Sequence, residues 1–371
     1  MRRLAVAALV AVAAGCGGST NGAAPPEAWR TVSTPPLAGT GLLSGVSCVS
    51  ESFCFAVGSR LRRLVSHTLV ERWDGKAWSV VPTTEPDDRR STLAGVSCVS
   101  KSFCVAVGSH FTAAGGHALI ESWDGRSWHV VSSGDPSVTN VLSGVSCSSP
   151  RFCVAVGTTR GANPRPFVET WGGDGWALTP VRGYPGPTSL SSVSCRSDSF
   201  CVAVGQHSSG DVVLTAAASF DGRGWRLERS PSAGVFSNLT GVACVAEDWC
   251  AAVGDRVRGQ GSRTLVLRRE GGWSLRPSPS LSFISGFAAV SCVSSSACVA
   301  VGARRDGANR TFVTGWDGSA WNVAVTPSPA GSNILSGVSC VGDDGVQCFA
   351  VGTSGPVVGI GGKPLVLRAT R

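Results

Sequence analysis

The chain has 371 residues and a net charge of +8, with 43% hydrophobic and 15% charged residues. Beyond the first 14 residues, no uninterrupted apolar run reaches the length of about eighteen residues that a membrane-spanning helix needs, which excludes a further spanning segment. The length alone would favour two domains, but a regular internal period predicts a single repetitive domain.

The N-terminus has the features of an export signal. Met1, Arg2 and Arg3 are followed by an apolar run from Leu4 to Ala14, which is too short to span a bilayer. We therefore predict a signal peptide over residues 1–15 and export by the general secretory route.

The end of this segment reads Ala-Ala-Gly-Cys at residues 13–16 and resembles the bacterial lipoprotein box, although Ala13 replaces the usual Leu. The resemblance implies that Cys16 carries the lipid and anchors the protein at the outer face of the cytoplasmic membrane or in the cell envelope. Ordinary secretion with removal of Cys16 is the alternative. Residues 16–28 have the small and polar composition of a flexible tether, and the folded domain is predicted over 29–371.

A cysteine-containing motif occurs seven times along the chain, first as Gly-Val-Ser-Cys-Val-Ser-Glu-Ser-Phe-Cys-Phe-Ala-Val-Gly at Gly45 to Gly58. The other copies begin at Gly95, Gly144, Ser192, Gly241, Ala289 and Gly337. Their first cysteines are 48 to 50 residues apart, which is the length of a four-stranded propeller blade. The segments are rich in Val, Ser, Thr and Trp and lack helical periodicity. The sequence thus predicts an all-β, seven-bladed β-propeller with blades of about 48 residues.

Each repeat divides into four predicted strands, named a to d. In the first repeat they span Leu42 to Cys48, Cys54 to Gly58, Thr68 to Trp73, and Trp78 to Val81. The c-to-d turn carries an Asp-Gly pair, which supplies side-chain capping and a positive φ. The turn recurs at Asp124-Gly125, Asp221-Gly222 and Asp317-Gly318, and in altered form at Trp171 to Trp176 and Glu270 to Trp273.

The tryptophan that begins strand d also occurs seven times, but its series starts before the first cysteine motif and ends before the last one. It is found at Trp29, Trp78, Trp128, Trp176, Trp225, Trp273 and Trp321. The first precedes any a strand, and the last repeat ends without a d strand. The N-terminal strand is therefore predicted to pair with the last c strand and to close the ring, which removes exposed sheet edges.

The cysteine pairs flank the short a-to-b connection, so that each pair lies opposite on adjacent antiparallel strands. Local pairing predicts seven disulfides: Cys48 with Cys54, Cys98 with Cys104, Cys147 with Cys153, Cys195 with Cys201, Cys244 with Cys250, Cys292 with Cys298, and Cys340 with Cys348. Metal binding is not expected, because no histidine joins these pairs at ligand spacing. No cofactor is predicted.

The combination of Val-Ser-Cys, Ala-Val-Gly and Trp-Asp-Gly-x-x-Trp resembles the Asp-box, or bacterial neuraminidase repeat, propellers, which include sialidase-like and photosystem-assembly types. The resemblance covers the whole mature chain and implies a structural role for the Asp-Gly turn. Sialidase activity is not expected, because the single tyrosine, Tyr184, lies in a loop rich in Pro and Gly, and the family's Phe-Arg-Ile-Pro segment is missing.

Propeller enzymes usually place their catalytic carboxylates in the central channel, which the inner a strands line. The residues of the predicted inner strands are small and uncharged, which favours close packing around the axis. Glu71, Glu121 and Glu169 occupy equivalent c-strand positions on different blades, where we expect them to face solvent. Asp343-Asp344-Gly345 could hold calcium, but the rest of a calcium-loop pattern is missing.

Basic residues recur on both sides of the predicted b-to-c loops. Of fourteen equivalent positions, the eleven that can be cationic are Arg60, His67, His110, His117, Arg165, His207, Arg256, Arg263, Arg304, Arg310 and Lys363. Ring symmetry predicts that they form two concentric belts on one face, which we call the basic face and define by the b-to-c and d-to-a connections. These connections contain 16 Lys or Arg and seven Asp or Glu, so that their net charge of +9 exceeds that of the whole chain.

These features favour a non-enzymatic binding or scaffold module that is monomeric and reaches the membrane only through its N-terminal lipid. Its basic face would attract an anionic glycan, envelope polymer or protein partner. The alternatives are a carbohydrate-active hydrolase or lyase with its site on the same face, a purely structural assembly factor, and a coding bias, since only three of the 32 basic residues are Lys. Nucleic acid is disfavoured, because no aromatic platform interleaves the basic residues.

Overall fold

A computed structural model describes residues 28–85, 90–113, 115–134, 140–184, 186–342, 347–356 and 362–370. These residues form seven four-stranded antiparallel sheets, which confirms the predicted seven-bladed β-propeller. Residues 1–27, which include Cys16, lie outside the described residues, and so does the Asp343 to Gly345 segment. The signal peptide and the lipidation of Cys16 therefore stay predictions.

Strands β1 to β13 are Arg30–Val32; Thr40–Ser50, Phe53–Arg62, Val65–Trp73 and Trp78–Val80 in blade 1; Ser91–Ser100, Phe103–Thr112, Gly115–Trp123 and Trp128–Val131 in blade 2; and Asn140–Ser149, Phe152–Thr159, Pro166–Trp171 and Trp176–Leu178 in blade 3. Strands β14 to β28 are Thr188–Ser197, Phe200–Ser209, Val212–Phe220 and Trp225–Glu228 in blade 4; Ser237–Cys244, Cys250–Arg258, Gly261–Arg269 and Trp273–Arg276 in blade 5; Ser285–Ser294, Ala297–Asp306, Ala308–Trp316 and Trp321–Val323 in blade 6; and Ser332–Val341, Gln347–Gly355 and Lys363–Ala369 in blade 7.

The ring is closed by the N-terminal strand, as predicted. Strand β1 completes blade 7 by pairing with β28, with Thr31 opposite Leu367. The junction between blades 7 and 1 has a core like that of the other junctions, in which Leu43 and Trp73 pack with Phe349 and Val366. Each blade therefore buries both of its broad faces against its neighbours.

Each inner strand contains a β-bulge just before the first residue of the cysteine motif, which is Gly in five blades, Ser192 in blade 4 and Ala289 in blade 6. In blade 1 the register shifts between Leu43 and Gly45, which leaves Ser44 unpaired. The bulge brings the carbonyl of Leu42 against Gly58 of strand b, where an added Cβ would lie 2.1 Å from that oxygen. The Gly of Ala-Val-Gly is therefore required by the bulge opposite it.

The serine of Val-Ser-Cys links neighbouring blades. Ser47 Oγ accepts a hydrogen bond from the backbone N–H of Cys98 in the next blade at 3.0 Å. The same bond joins Ser97 to Cys147, Ser146 to Cys195, Ser194 to Cys244, Ser291 to Cys340 and Ser339 to Cys48. Blade 5 has Ala243 in place of the serine, so that this acceptor is missing at the junction with blade 6.

The seven predicted disulfides are present. The tryptophan that ends strand c holds the same end of the blade, because Trp73 Nε1 donates to the carbonyl of Glu51 in the a-to-b connection at 3.0 Å. In the Asp-Gly turn, Asp74 Oδ1 accepts the backbone N–H groups of Lys76 and Ala77 at 2.8 and 2.9 Å. This face of the ring is therefore held by recurrent structural contacts.

Blade 5 departs from the pattern by placing Arg269 where blades 1, 2, 3 and 6 have this tryptophan. Arg269 donates to the carbonyl of Glu247 at 2.5 Å, the bond that Trp73 makes in blade 1. It also pairs with Glu228 of blade 4, with its Nη2 2.7 Å from that carboxylate. Trp273 Nε1 donates to the same carboxylate at 2.6 Å. An ion pair between blades thus replaces an aromatic contact.

Candidate functional site

The basic residues lie on one end of the ring, in hairpins that are longer than predicted. Strand b of blade 1 continues four residues past Gly58, to Arg62, and strand c begins at Val65. The predicted loop residues Arg60 and His67 are therefore strand residues, and they lie directly opposite each other. The expectation that they flank a loop is corrected: antiparallel pairing extends almost to the tip of the hairpin.

The same register brings most of the predicted belt residues together in pairs. His110 lies opposite His117, Arg256 opposite Arg263, and Arg304 opposite Arg310. His207 is opposite Leu214, and Lys363 is opposite Ser354. Arg165 precedes strand c of blade 3, where its carbonyl accepts the N–H of Thr159 at 3.0 Å. The two predicted belts therefore correspond to positions on strands b and c of the hairpins.

The histidines on this face have local partners. His67 Nδ1 lies 2.8 Å from the carboxylate of Glu85, in the connection to blade 2. The rings of His110 and His117 stack with centroids 5.0 Å apart, and His117 Nε2 is 3.2 Å from Thr112 Oγ1. These contacts hold the histidines within the hairpins.

The arginines of blades 5 and 6 form the densest positive region. Arg263 donates through Nη1 to the carbonyl of Ser282, in the connection between the two blades. Arg304 Nη1 is 3.5 Å from Asp306, whose side chain is 70% exposed. The Nε of Arg256 is buried without a hydrogen-bond partner among the described residues. Two adjacent hairpins therefore carry opposed arginine pairs, and Arg304 has Asp306 as a carboxylate partner.

A cavity of about 490 Å³ opens on the basic face between blades 3 and 4. Its walls carry the hydroxyl groups of Thr158, Thr188 and Ser189 together with Gln206 and Arg160. The guanidinium of Arg160 also lies 5.4 Å from the centre of the Phe111 ring of blade 2. The lining residues include no Asp or Glu, so this cavity offers hydrogen-bond donors and a cation but no carboxylate pair.

The central channel is narrow and uncharged, as the sequence predicted. It contains a cavity of about 180 Å³ lined by small residues and Val, such as Ser44, Gly45 and Val46 and their equivalents in other blades. A Cβ added to Gly45 would lie 3.2 Å from the Cα of Gly95, because neighbouring inner strands approach closely there. The channel therefore offers no acid or base for catalysis.

The expectation that Glu71, Glu121 and Glu169 face solvent is wrong, because all three are fully buried between blades. Ser133 donates to Glu169 at 2.7 Å, whereas the carboxylates of Glu71 and Glu121 have no hydrogen-bond partner among the described residues. Burial raises the pKa of each of these two carboxyls to about 8. The equivalent positions of blades 4 to 7 are also buried, and hold Ala218, Leu267, Thr314 and Leu367.

Tyr184 does not form a catalytic pair with a carboxylate. Its hydroxyl makes no hydrogen bond among the described residues, and burial followed by the charge of Glu228 raises its pKa. The Glu228 carboxylate is held by Arg269 and Trp273. Burial opposes ionisation of Glu228, but hydrogen bonds led by that from Arg269 outweigh it and lower the pKa.

Sequence reasoning missed a set of apolar side chains on the basic face. Leu64 at the tip of the first b-to-c hairpin is 84% exposed, and Phe283 in the connection between blades 5 and 6 is 57% exposed. Leu-Arg-Arg-Leu at residues 61–64 was the signal in the sequence, since a hairpin tip offers no core for two leucines. The face is therefore both basic and partly apolar.

The described residues contain no group of three or more His, Cys, Asp or Glu side chains placed to hold a metal ion. Nor does any helix within them have the length and apolarity to cross a membrane. The seven disulfides indicate an oxidising, extracytoplasmic environment.

The fold is similar to those of several solved propellers. One is YCF48 bound to D1 peptide, with a TM-score of 0.57 and 14% identity over 94% of this chain and 99% of that chain. Another is YCF48 from Cyanidioschyzon merolae, with a TM-score of 0.55 and 15% identity over 92% of this chain and 98% of that one. The GH74 xyloglucanase from Xanthomonas campestris gives a TM-score of 0.57 and 13% identity over 92% of this chain and 55% of that one.

At these identities the likeness concerns the fold alone. The sequence matches no family model and no curated protein. The neighbours therefore establish that this chain adopts a propeller architecture, which also occurs in a peptide-bound protein and in a glycoside hydrolase.

Proposed function

We propose that this protein is an exported, lipid-anchored propeller that acts as a binding or scaffold module, and that its basic face holds an anionic partner. The partner would be an anionic glycan, an envelope polymer or an acidic segment of a protein. The observation that carries the proposal is the pair of opposed arginines in each of two adjacent hairpins, Arg256 with Arg263 and Arg304 with Arg310.

Opposed like charges cost stability in an antiparallel pair. The propeller does not need them at these positions, because blade 3 has Thr159 and blade 7 has Ser354 at the inner one. An anion between two guanidinium groups would relieve the repulsion and accept charge-assisted hydrogen bonds from both. The opposed arginine pairs are therefore expected to be more stable with a bound anion than without one.

The cavity between blades 3 and 4 supports the same function. Its hydroxyl and amide groups, with Arg160 at its edge, would bind the oxygens of a sugar, phosphate or peptide backbone. Peptide binding by a propeller of similar fold supports the protein-partner version of the proposal. The glycosidase alternative gains no support here, because such chemistry needs paired carboxylates and neither this cavity nor the channel is lined by any.

Retention on an immobilised, phosphate-bearing wall polymer across a salt series tests the proposal. The mature protein should be retained at low salt and released as salt rises, because surface charges are screened. Replacing Arg60, Arg256 and Arg304 together by Thr should weaken retention. The matched control replaces Lys76, Arg126 and Arg223, three exposed cations in c-to-d turns of the opposite face.

The two sets of substitutions remove the same charge, so they separate a face-specific site from a general effect of net charge. Equal weakening by both sets would contradict a site on the basic face. Absent or salt-insensitive retention of the unmodified protein would reject the proposal altogether.

The lipid anchor is tested separately. Cys16→Ser removes the residue that would carry the lipid. The protein should then move from the membrane fraction to the soluble exported fraction, with its seven disulfides intact. An unchanged membrane fraction, without incorporation of a labelled fatty acid by the unmodified protein, would contradict lipidation.

A further inference from the structure

We propose that the basic face docks on the membrane surface, with apolar side chains at its loop tips inserting among the headgroups and arginines binding the lipid phosphates. This inference rests on the proposed function in one respect, namely that the face binds anions. It then names the anion as phospholipid and adds a second membrane contact to the predicted N-terminal lipid.

The exposed large hydrophobic side chains of the described residues fall into two groups. One group lies on the outer d strands around the rim: Val80, Val130, Leu178, Leu275 and Val323. The other lies in the b-to-c hairpins and d-to-a connections: Leu61, Leu64, Val235, Leu281, Phe283, Ile284 and Val325. Among the described residues, the a-to-b and c-to-d connections hold none. Apart from the rim, the exposed large apolar groups of the described residues thus lie on the basic face.

The tip of the first hairpin shows that folding alone does not explain this placement. Arg63 and Leu64 form a two-residue turn with φ values of 48° and 66°, in the left-handed region that favours Gly or Asn. Blades 4, 5 and 6 have Gly210, Gly259 and Gly307 at their hairpin tips with φ of 59° to 67°. Blade 1 instead presents a leucine that is 84% exposed. Strain at an exposed leucine points to a function outside the fold.

The connection between blades 5 and 6 presents its apolar side chains from a fixed backbone. The N–H of Arg305 donates to the carbonyl of Ile284 at 2.8 Å, and Arg263 donates to the carbonyl of Ser282. Phe283 and Leu281 nevertheless remain 57% and 52% exposed. An ordered loop therefore leaves an aromatic and an aliphatic side chain more than half exposed on this face.

Arginines surround these apolar tips. Arg62 and Arg63 adjoin Leu64, while Arg258 and Arg305 lie at the hairpins of blades 5 and 6, and all four are exposed. Asp211 and Asp306 are exposed carboxylates at hairpin tips on the same face. The cations outnumber these two, so an anionic surface is attracted. Such cations are attracted to the negative surface potential of an anionic bilayer.

The arrangement favours a planar membrane over a soluble polymer. The apolar tips belong to blade 1 and to the connections after blades 4 and 5, so that no single groove contains them, but one plane can contact the end of the ring. A phosphate-bearing wall polymer would bind the arginines but would gain nothing from Leu64.

Vesicle sedimentation tests the inference, using the mature chain with Cys16→Ser, which keeps every described residue but carries no lipid. Binding to vesicles containing phosphatidylglycerol is compared with binding to pure phosphatidylcholine vesicles and to immobilised wall polymer. The test variants are Leu64→Asn, which suits the left-handed turn, and Phe283→Ser. The controls are Val130→Asn and Leu178→Ser, which remove exposed apolar groups from the rim.

We expect salt-dependent binding to the anionic vesicles, weakened about tenfold by each test variant and unchanged by each control. Polymer retention should be unaffected by Leu64→Asn and Phe283→Ser. If the test variants bind vesicles as well as the unmodified chain does, insertion of the tips is rejected. Retention on polymer without binding to vesicles would reject the membrane inference and leave the proposed function standing, whereas loss of both would reject the two together.

Discussion

The backbone N–H of Cys48 donates to Ser339 Oγ at 3.0 Å and so ties the first inner strand to the last. The sequence separation is 291 residues, yet the bond is the same as that between successive blades. One serine in each of six repeats therefore joins neighbouring blades and also closes the ring. The closure depends on both this bond and the pairing of β1 with β28.

The serine that accepts this bond is missing only at the junction between blades 5 and 6, and restoring it should increase stability. Ala243→Ser should supply the missing acceptor for the N–H of Cys292 and raise the free energy of unfolding by about 1 kcal/mol. Ser97→Ala, which removes an existing bond of the same kind, should lower it by a similar amount. Urea denaturation with the disulfides intact measures both. Opposite or null effects in the two variants would show that these bonds do not contribute to blade contacts.

The buried glutamates predict an unusual pH dependence. Because burial raises the pKa of Glu71 and Glu121 from 4.5 to about 8, the folded state keeps protons that the unfolded state releases. Stability should therefore be greatest below pH 4.5 as far as these groups are concerned, and fall as the pH rises toward 8. Urea midpoints across this range measure the slope.

Glu121→Leu should raise stability at pH 8 by about 1 to 3 kcal/mol, because it removes an unpaired buried carboxyl. Blades 5 and 7 already have Leu267 and Leu367 at this position. Glu121→Gln is the matched variant, since it keeps the polar side chain but cannot titrate, and it should flatten the slope. An unchanged slope in both variants would mean that Glu121 is not the titrating group.

The ion pair between blades 4 and 5 should be needed for their contact. Arg269→Ala would leave the Glu228 carboxylate without its guanidinium and is expected to cost about 2 to 3 kcal/mol. The double variant Arg269→Trp with Glu228→Gln should recover much of the loss, because Trp at this position in blade 1 donates to the equivalent carbonyl. Thermal unfolding of the three proteins at neutral pH tests this, and failure of the double variant to exceed Arg269→Ala would contradict it.

The opposed arginines predict that stability and binding change in opposite directions. Arg256→Thr should raise the free energy of unfolding by a few tenths of a kcal/mol, up to about 1, by removing a like-charge pair. The same variant should weaken retention on anionic polymer. Arg60→Thr is the comparison, since its opposed residue is His67, which is held by Glu85. Parallel loss of stability and binding in Arg256→Thr would indicate a structural role instead.

Much of the fold could be predicted because the repeat is local. The Cys48–Cys54 pair and its six counterparts along the chain determine the number of blades, and the displaced Trp29 determines how the ring closes. Disulfide pairing followed from the same spacing, because residues that flank a short connection lie opposite each other. The strands and the disulfide of a blade depend on neighbours in the chain, whereas the number of blades and the closure follow from the whole series of repeats.

The burial of Glu71 could not be predicted, because strand c has a neighbouring blade on each side. Residues 68–71 are consecutively buried, so that the alternation of inward and outward side chains, which identifies a half-exposed strand, is absent here. The sequence alone determined the blades, the disulfides and the excess of cations. Only the tertiary structure decided which cations lie opposite each other and which leucines point outward, since both depend on how far each hairpin continues past Gly58 and how the blades pack.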